Sequence, residues 1–139
     1  MMIDFRCVRF NNPRMSRPDA VRRVKSYSAA NGFVYQYFFF EVNRVVGDTG
    51  TAGEFIYAVT SDRKSTFGVR IVVHQAALEE WARLNGRPLT SSEEYAVAKM
   101  RLFMGLDAGE VPPDTESDSA VTLRVDGSNL ETLLQALNI

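Results

Sequence analysis

FVYQYFFFEVNRVV, from Phe33 to Val46, is aromatic or β-branched at almost every position. Such a composition is typical of a packed strand rather than a helix. With the two-residue period of a strand, one side carries Val34, Phe38, Phe40, Val42 and Val46, and the other carries Phe33, Tyr35, Tyr37, Phe39 and Val45. A strand that is apolar on both sides has to be covered on both faces, by its own domain or by a second copy. We therefore expect this strand to lie at the centre of the fold.

Two further strand patterns follow the central one. The first alternates from Glu54 to Thr60 and the second from Thr66 to Val73. Because the connections are short, the three strands are predicted to form an antiparallel meander at about 33–73. Alternating stretches predict a short strand at 3–10 and an outer strand with one wet face at 120–125, so the antiparallel sheet would contain three to five strands.

Four segments have the apolar spacing and end signals of helices, at about 18–30, 75–85, 92–104 and 128–138. The third begins with a capping box and is expected to end at Gly105. It is apolar nearly all round, interrupted only by Lys99 and Arg101. It is therefore either a central packing helix or part of an oligomer interface. These elements together predict an α+β fold.

The length of 139 residues is typical of a single domain. An acidic segment with two prolines, at about 107–119, is predicted to be a linker before a C-terminal strand–helix unit. No apolar run is long enough to span a bilayer, and the N-terminus lacks the pattern of a signal peptide. We therefore predict a cytoplasmic protein that does not contact a membrane.

Charge is distributed unevenly along the chain. Residues 1–31 carry seven basic side chains against two acidic ones, whereas residues 107–139 carry one basic side chain against seven acidic ones. Such asymmetry indicates either an arm that binds polyanions or two ends that attract each other. The basic arm that could contact nucleic-acid phosphates comprises Arg14, Arg17, Arg22, Arg23 and Lys25.

The sequence contains no recognisable catalytic motif. Cys7 is the only cysteine and His74 the only histidine, so one chain can form neither a disulfide nor a conventional zinc site. We interpret Cys7 as a small buried hydrophobe and His74 as a packing or helix-cap residue. No cofactor and no metal are predicted, and enzymatic activity is left open with a preference for none.

Three functional hypotheses follow. The favoured one is a non-enzymatic protein–protein interaction module that forms a homodimer and binds an unknown protein partner; its interface would contain Tyr95, Met100, Phe103, Phe38 and Phe40. The second is a nucleic-acid-associated protein that uses the basic arm. The third is a small-ligand-binding protein or enzyme with a pocket between sheet and helices, near His74, Tyr57 or Trp81.

Overall fold

A computed structural model describes residues 23–47, 50–117 and 119–139, which contain five strands and three helices. The strands are β1 (Lys25–Ser28), β2 (Val34–Gly47), β3 (Gly50–Thr60), β4 (Phe67–His74) and β5 (Ala120–Val125). The helices are α1 (Gln75–Asn85), α2 (Ser91–Ala108) and α3 (Leu130–Ala136). The strand predicted at 3–10 lies outside the described residues.

The five strands form one sheet in the order β1-β2-β3-β4-β5. β1 to β4 pair antiparallel with their sequence neighbours, whereas β5 pairs parallel with β4. A parallel pair needs a long connection, and here that connection contains α1 and α2. The predicted α+β class and its antiparallel meander are therefore confirmed, although β3 rather than β2 is the middle strand.

A β-bulge interrupts the pairing of β2 with β3. Phe39 pairs with Tyr57, but the next pair is Glu41 with Ile56, so Phe40 is the extra residue. A bulge of this kind places two residues of one strand opposite one residue of its partner. The side chains that follow the bulge therefore point to the face opposite to the one that simple alternation predicts.

The two halves of β2 consequently alternate out of phase. Before the bulge, Tyr37 points to the helices and contacts Phe103 of α2. Beyond it, Arg44 points to the same side and forms an ion pair with Glu94, 3.5 Å from Nη2 to Oε1. The alternation predicted for this strand is therefore wrong after Phe40, because one extra residue moves each later side chain to the other face.

The helix predicted at about 18–30 is wrong in its described part, where Lys25–Ser28 is a strand paired with β2. Asn31 and Gly32 form the turn between the two strands instead of ending a helix. Asn31 Oδ1 accepts a 3.0 Å hydrogen bond from the backbone N–H of Phe33, and Gly32 has a φ of +92°, which favours glycine. Pairing with β2 outweighs the weak helical pattern of this segment.

All three helices contribute to a single core on one face of the sheet. On α2, the side chains of Val97, Ala98, Leu102 and Leu106 are fully buried. Packing therefore explains much of the surplus apolar surface seen in the sequence. The opposite face of the sheet also carries buried apolar side chains, namely Phe40, Ile56, Ala58 and Val72.

Helix α2 continues through Gly105, where the sequence predicted its end. A Cβ atom at Gly105 would lie 2.5 Å from Cδ1 of Leu123, so glycine allows α2 and β5 to pack closely. The helix ends at Gly109, which has a φ of +77° and a backbone N–H bonded to the Gly105 carbonyl. Its start matches the predicted capping box, formed by Thr90 and Glu93.

The segment predicted to be a linker, about 107–119, packs against the sheet in its described part. Val111 is fully buried, and its carbonyl accepts a 3.3 Å hydrogen bond from the Tyr35 hydroxyl. The Ser61 hydroxyl donates a 2.6 Å hydrogen bond to the carbonyl of Pro113. The strand and helix that follow contribute to the same core as the meander.

Replacing Gly105 with valine should destabilise the protein, because the new side chain would overlap Leu123 in the core. Overpacking of this kind costs about 1–3 kcal/mol. Denaturant unfolding measures the loss, and Ala108→Val, at an exposed position of the same helix, controls for the helix propensity of valine. Equal stability of the two variants would contradict the close packing of α2 on β5.

Candidate functional site

Helix α2 directs one row of side chains at the first three strands. The row consists of Tyr95, Lys99, Phe103 and Asp107, which are spaced four residues apart and therefore share one face of the helix. Each member has a partner on β1, β2 or β3. The row therefore fixes α2 across this end of the sheet.

Two members of the row hold the edge strand β1. The Tyr27 ring stacks on Phe103, with 4.2 Å between ring centroids and 4° between ring planes. Asp107 accepts a 2.7 Å hydrogen bond from the Tyr27 hydroxyl and a 2.9 Å bond from the Ala30 N–H. Burial, followed by the hydrogen bond and charge of Asp107, raises the pKa of Tyr27 to about 12.

Three tyrosines meet beneath the first half of α2. Tyr57 of β3 packs against Tyr37 of β2 and Tyr95 of α2, with ring centroids 6.2 and 6.5 Å apart. Tyr57 is fully buried, and within the described ranges its hydroxyl has no partner that meets hydrogen-bond geometry. Burial raises the pKa of Tyr57 far above its usual value, and the adjacent Tyr95 and Tyr37 add to the rise.

Two lysines lie on the same face of the sheet as Tyr37. Lys99 Nζ lies 5.8 Å from the Tyr37 ring centroid and 5.9 Å from that of Phe103. Lys25 is the cross-strand partner of Tyr37, so its side chain leaves β1 on the same face. Burial lowers the pKa of Lys99, and the neighbouring Lys25 lowers it further. Among the described residues, no carboxylate forms an ion pair with either lysine.

The opposite face of the sheet carries a buried ion pair. Glu54 Oε2 lies 3.6 Å from Arg70 Nη1, and Glu54 is 7% exposed. Arg70 Nη2 also donates a 3.0 Å hydrogen bond to Thr122 Oγ1 on β5. Farther along this face, Arg124 Nη1 approaches His74 Nε2 to 3.4 Å. These contacts join neighbouring strands, which accounts for the polar residues on this face.

The outer edge of β2 is open over half of its length. β1 pairs only with residues 34–37, and no described residue donates or accepts a hydrogen bond along the outer backbone of residues 41–47. The side chains on this part of the strand are partly apolar, since Val42 is 46% exposed and Val46 is 83% exposed. This stretch, the open β2 edge, can accept another strand.

The other edge of the sheet is protected. The Arg124 carbonyl of β5 accepts hydrogen bonds from Arg101 Nε at 2.8 Å and from Asn129 Nδ2 at 3.0 Å. Arg101 is itself held by an ion pair with Glu110, 2.8 Å from Nη1 to Oε1. Side-chain cover of this kind is one way in which proteins prevent strand addition.

The predicted basic arm lies only partly within the described ranges. Arg23 and Lys25 are described, and both are exposed. The other three members of the arm lie outside those ranges: Arg14, Arg17 and Arg22. Cys7 lies outside them as well. The arm's nucleic-acid role stays a prediction.

The residues predicted to form an oligomer interface lie on two separate surfaces. Tyr95, Met100 and Phe103 are on α2 and pack partly against the core. Phe38 and Phe40 point to the opposite face of the sheet, where Phe40 is only 5% exposed. One continuous surface does not contain both groups, and their role in self-association stays a prediction.

The ligand pocket between sheet and helices stays a prediction. Of the residues predicted near it, Tyr57 and Trp81 are buried, and His74 occupies the N-cap position of α1 without a capping hydrogen bond. A cleft of about 110 Å³ lies beside Trp81 at the surface, and one of about 160 Å³ lies beside Phe38 on the opposite face. Both are smaller than the roughly 300 Å³ of a typical ligand site.

Within the described ranges, no three His, Cys, Asp or Glu side chains lie close enough to hold a metal ion together. No helix in this part of the chain is long and apolar enough to cross a membrane.

Comparison with known proteins gives no match: no family model fits the chain, and neither the curated proteins nor the solved structures include a similar one.

Titration of Tyr27 should report the contact between β1 and α2. A tyrosine pKa of about 12 in the folded state, against about 10 when unfolded, contributes stability below pH 10 that is lost as the pH rises towards 12. Asp107→Asn removes the charge, so the phenolate absorbance of Tyr27, identified by its loss in Tyr27→Phe, should develop at lower pH. Asp114→Asn, at an exposed position, should leave the titration unchanged; an unchanged titration in Asp107→Asn would refute the contact.

Proposed function

We propose that this protein is an interaction domain that forms a homodimer by pairing the open β2 edge of one copy with that of a second. The observation that supports the proposal is that no residue within 23–47, 50–117 and 119–139 hydrogen-bonds to the outer backbone of residues 41–47. Exposed strand edges carry N–H and C=O groups that hydrogen-bond readily to a strand of another chain. The partly apolar side chains of Val42 and Val46 add contact area beside this backbone.

Contrast with the remaining edges supports this site. β1 is only four residues long, and short edge strands resist strand addition. β5 is covered by the side chains of Arg101 and Asn129. The open β2 edge lacks both protections within the described residues, and its seven residues span about 23 Å.

A second copy is a suitable partner because the strand can pair with itself without charge conflict. In an antiparallel arrangement about a two-fold axis through Asn43, Val42 faces Arg44 and Glu41 faces Val45. No like charges are directly opposite in this register. An axis through Arg44 would instead place two guanidinium groups opposite each other, which is unfavourable. We therefore propose an axis through Asn43 in preference to one through Arg44.

Sedimentation at micromolar concentrations should give twice the monomer mass of 15.6 kDa. Val42→Lys should dissociate the dimer, because each new lysine would face Arg44 of the second copy. Val42→Glu should preserve or tighten it, because opposite charges would then face each other. Val42 is 46% exposed, so we expect both variants to keep the fold, which circular dichroism checks.

Leu84→Lys is the matched control, since Leu84 is a 66% exposed apolar residue on α1; it should leave the dimer intact. A monomer at all concentrations would overturn the proposal. So would a dimer that responds equally to Leu84→Lys and Val42→Lys, because its contact would lie elsewhere. If the chain is monomeric and a different protein binds at the open β2 edge, the proposal of a homodimer is overturned.

A further inference from the structure

We infer that Lys25, Lys99 and the adjoining tyrosine hydroxyls form a binding site for the phosphoryl group of a small molecule. The site lies where the first half of α2 crosses β1 and β2, on the helix side of the sheet. Its central feature is the Lys99 ammonium group over the ring of Tyr37, with Lys25 directly opposite Tyr37 on β1 and therefore on the same face of the sheet. It is separate from the open β2 edge and does not depend on the homodimer.

Within the part of the chain that the structure describes, no carboxylate forms an ion pair with either ammonium group. β1 contributes Lys25 and Tyr27, and burial raises the pKa of Tyr37 on β2 and of Tyr57 on β3, so that both are neutral near pH 7. On α2, the carboxylate in the same row is Asp107, which is bonded to Tyr27 and Ala30. It lies two turns from Lys99, about 12 Å along the helix axis. An anion is thus the partner that would remove the repulsion between the lysines.

The tyrosines add neutral hydrogen-bond donors to the site. Each hydroxyl can donate one hydrogen bond. Tyr57 is the most informative, because the residue is fully buried and its hydroxyl has no partner that meets full hydrogen-bond geometry among the described residues, with the Tyr95 hydroxyl as its nearby polar neighbour. Buried hydroxyl groups normally have a partner. Its neighbours Tyr37 and Tyr95 connect it to the lysines, since Lys99 lies over the ring of Tyr37.

A phosphoryl group matches this arrangement better than a carboxylate does. A phosphate monoester carries about −1.5 to −2 charges at pH 7 and three strong acceptor oxygens. Two ammonium groups balance that charge, whereas a carboxylate would leave one of them uncompensated. The surrounding hydroxyls supply donors for the remaining oxygens. We therefore assign the site to free phosphate or to the phosphate of a small phosphomonoester.

Isothermal titration calorimetry of the full chain tests the site. Titration with inorganic phosphate, and then with a nucleoside monophosphate and a sugar phosphate, distinguishes free phosphate from a phosphomonoester as the ligand. Lys99→Met should weaken binding about tenfold or more, the effect of losing one charge-assisted hydrogen bond. Lys64→Met, which removes an exposed lysine of the β3–β4 turn, should bind like the parent chain. Above about pH 8, where the phosphate is already a dianion, affinity should fall with rising pH, since burial and Lys25 lower the pKa of Lys99.

A second measurement separates binding from a structural role of Lys99. In isotope-labelled protein, the NMR titration of Lys99 Nζ should move to higher pH when phosphate is added, because a bound anion favours the charged lysine. Without phosphate, Lys99→Met should be at least as stable as the parent, because it relieves the repulsion from Lys25. Val42→Lys should bind phosphate normally, which keeps this test independent of dimer formation.

Absence of saturable binding to phosphate and to both phosphomonoesters would overturn the inference. Equal affinity in Lys99→Met and the parent chain would also overturn it. Tighter binding of an oligonucleotide, with a salt dependence that indicates several phosphate contacts, would assign the lysines to nucleic acid and exclude the small-molecule site.

Discussion

Helix α2 contacts both edge strands of the sheet, and the position of each edge depends on this crossing. Within one turn and a half of the helix, Arg101 bonds to the β5 backbone and Gly105 packs on Leu123. Phe103 and Asp107, on another side of the same helix, hold Tyr27 of β1. Because a single helix makes both sets of contacts, a movement of α2 relative to one edge strand would also change its position relative to the other.

For the same helix, the periodicity of the sequence predicted some features correctly and others wrongly. Its all-round apolar pattern predicted either a central packing helix or an interface, and the core contacts of Leu102 and Leu106 account for the first. The strands of the meander were equally predictable, because short connections leave few other pairings. The predicted helix end at Gly105 is wrong. The sequence alone does not distinguish a glycine that permits close packing from one that ends a helix.

Other features of the structure could not be predicted from the sequence alone. The bulge at Phe40 lies in a run of aromatic residues, so no change of pattern marks the extra residue. β1 depends on α2 residues that lie about 80 positions later in the chain. The pair of lysines depends on the same long-range contact, although one signal was present: Lys99 interrupts an otherwise apolar helix. The open β2 edge exists because β1 is short. The sequence did not predict it, because the segment that contains β1 was predicted to be a helix.

The sequence separation between β1 and its anchor has a consequence for the order of folding. The Asp107 hydrogen bonds to Tyr27 and Ala30 join residues 80 and 77 positions apart, and contacts of such separation carry a large entropic cost of chain closure. During synthesis, β1 leaves the ribosome long before α2 exists. We expect the β2–β3–β4 meander to form first and β1 to dock late, once α2 has crossed the sheet. Until then, the part of β2 that pairs with β1, residues 34–37, is uncovered by β1, so the nascent chain is most prone to premature association in this interval.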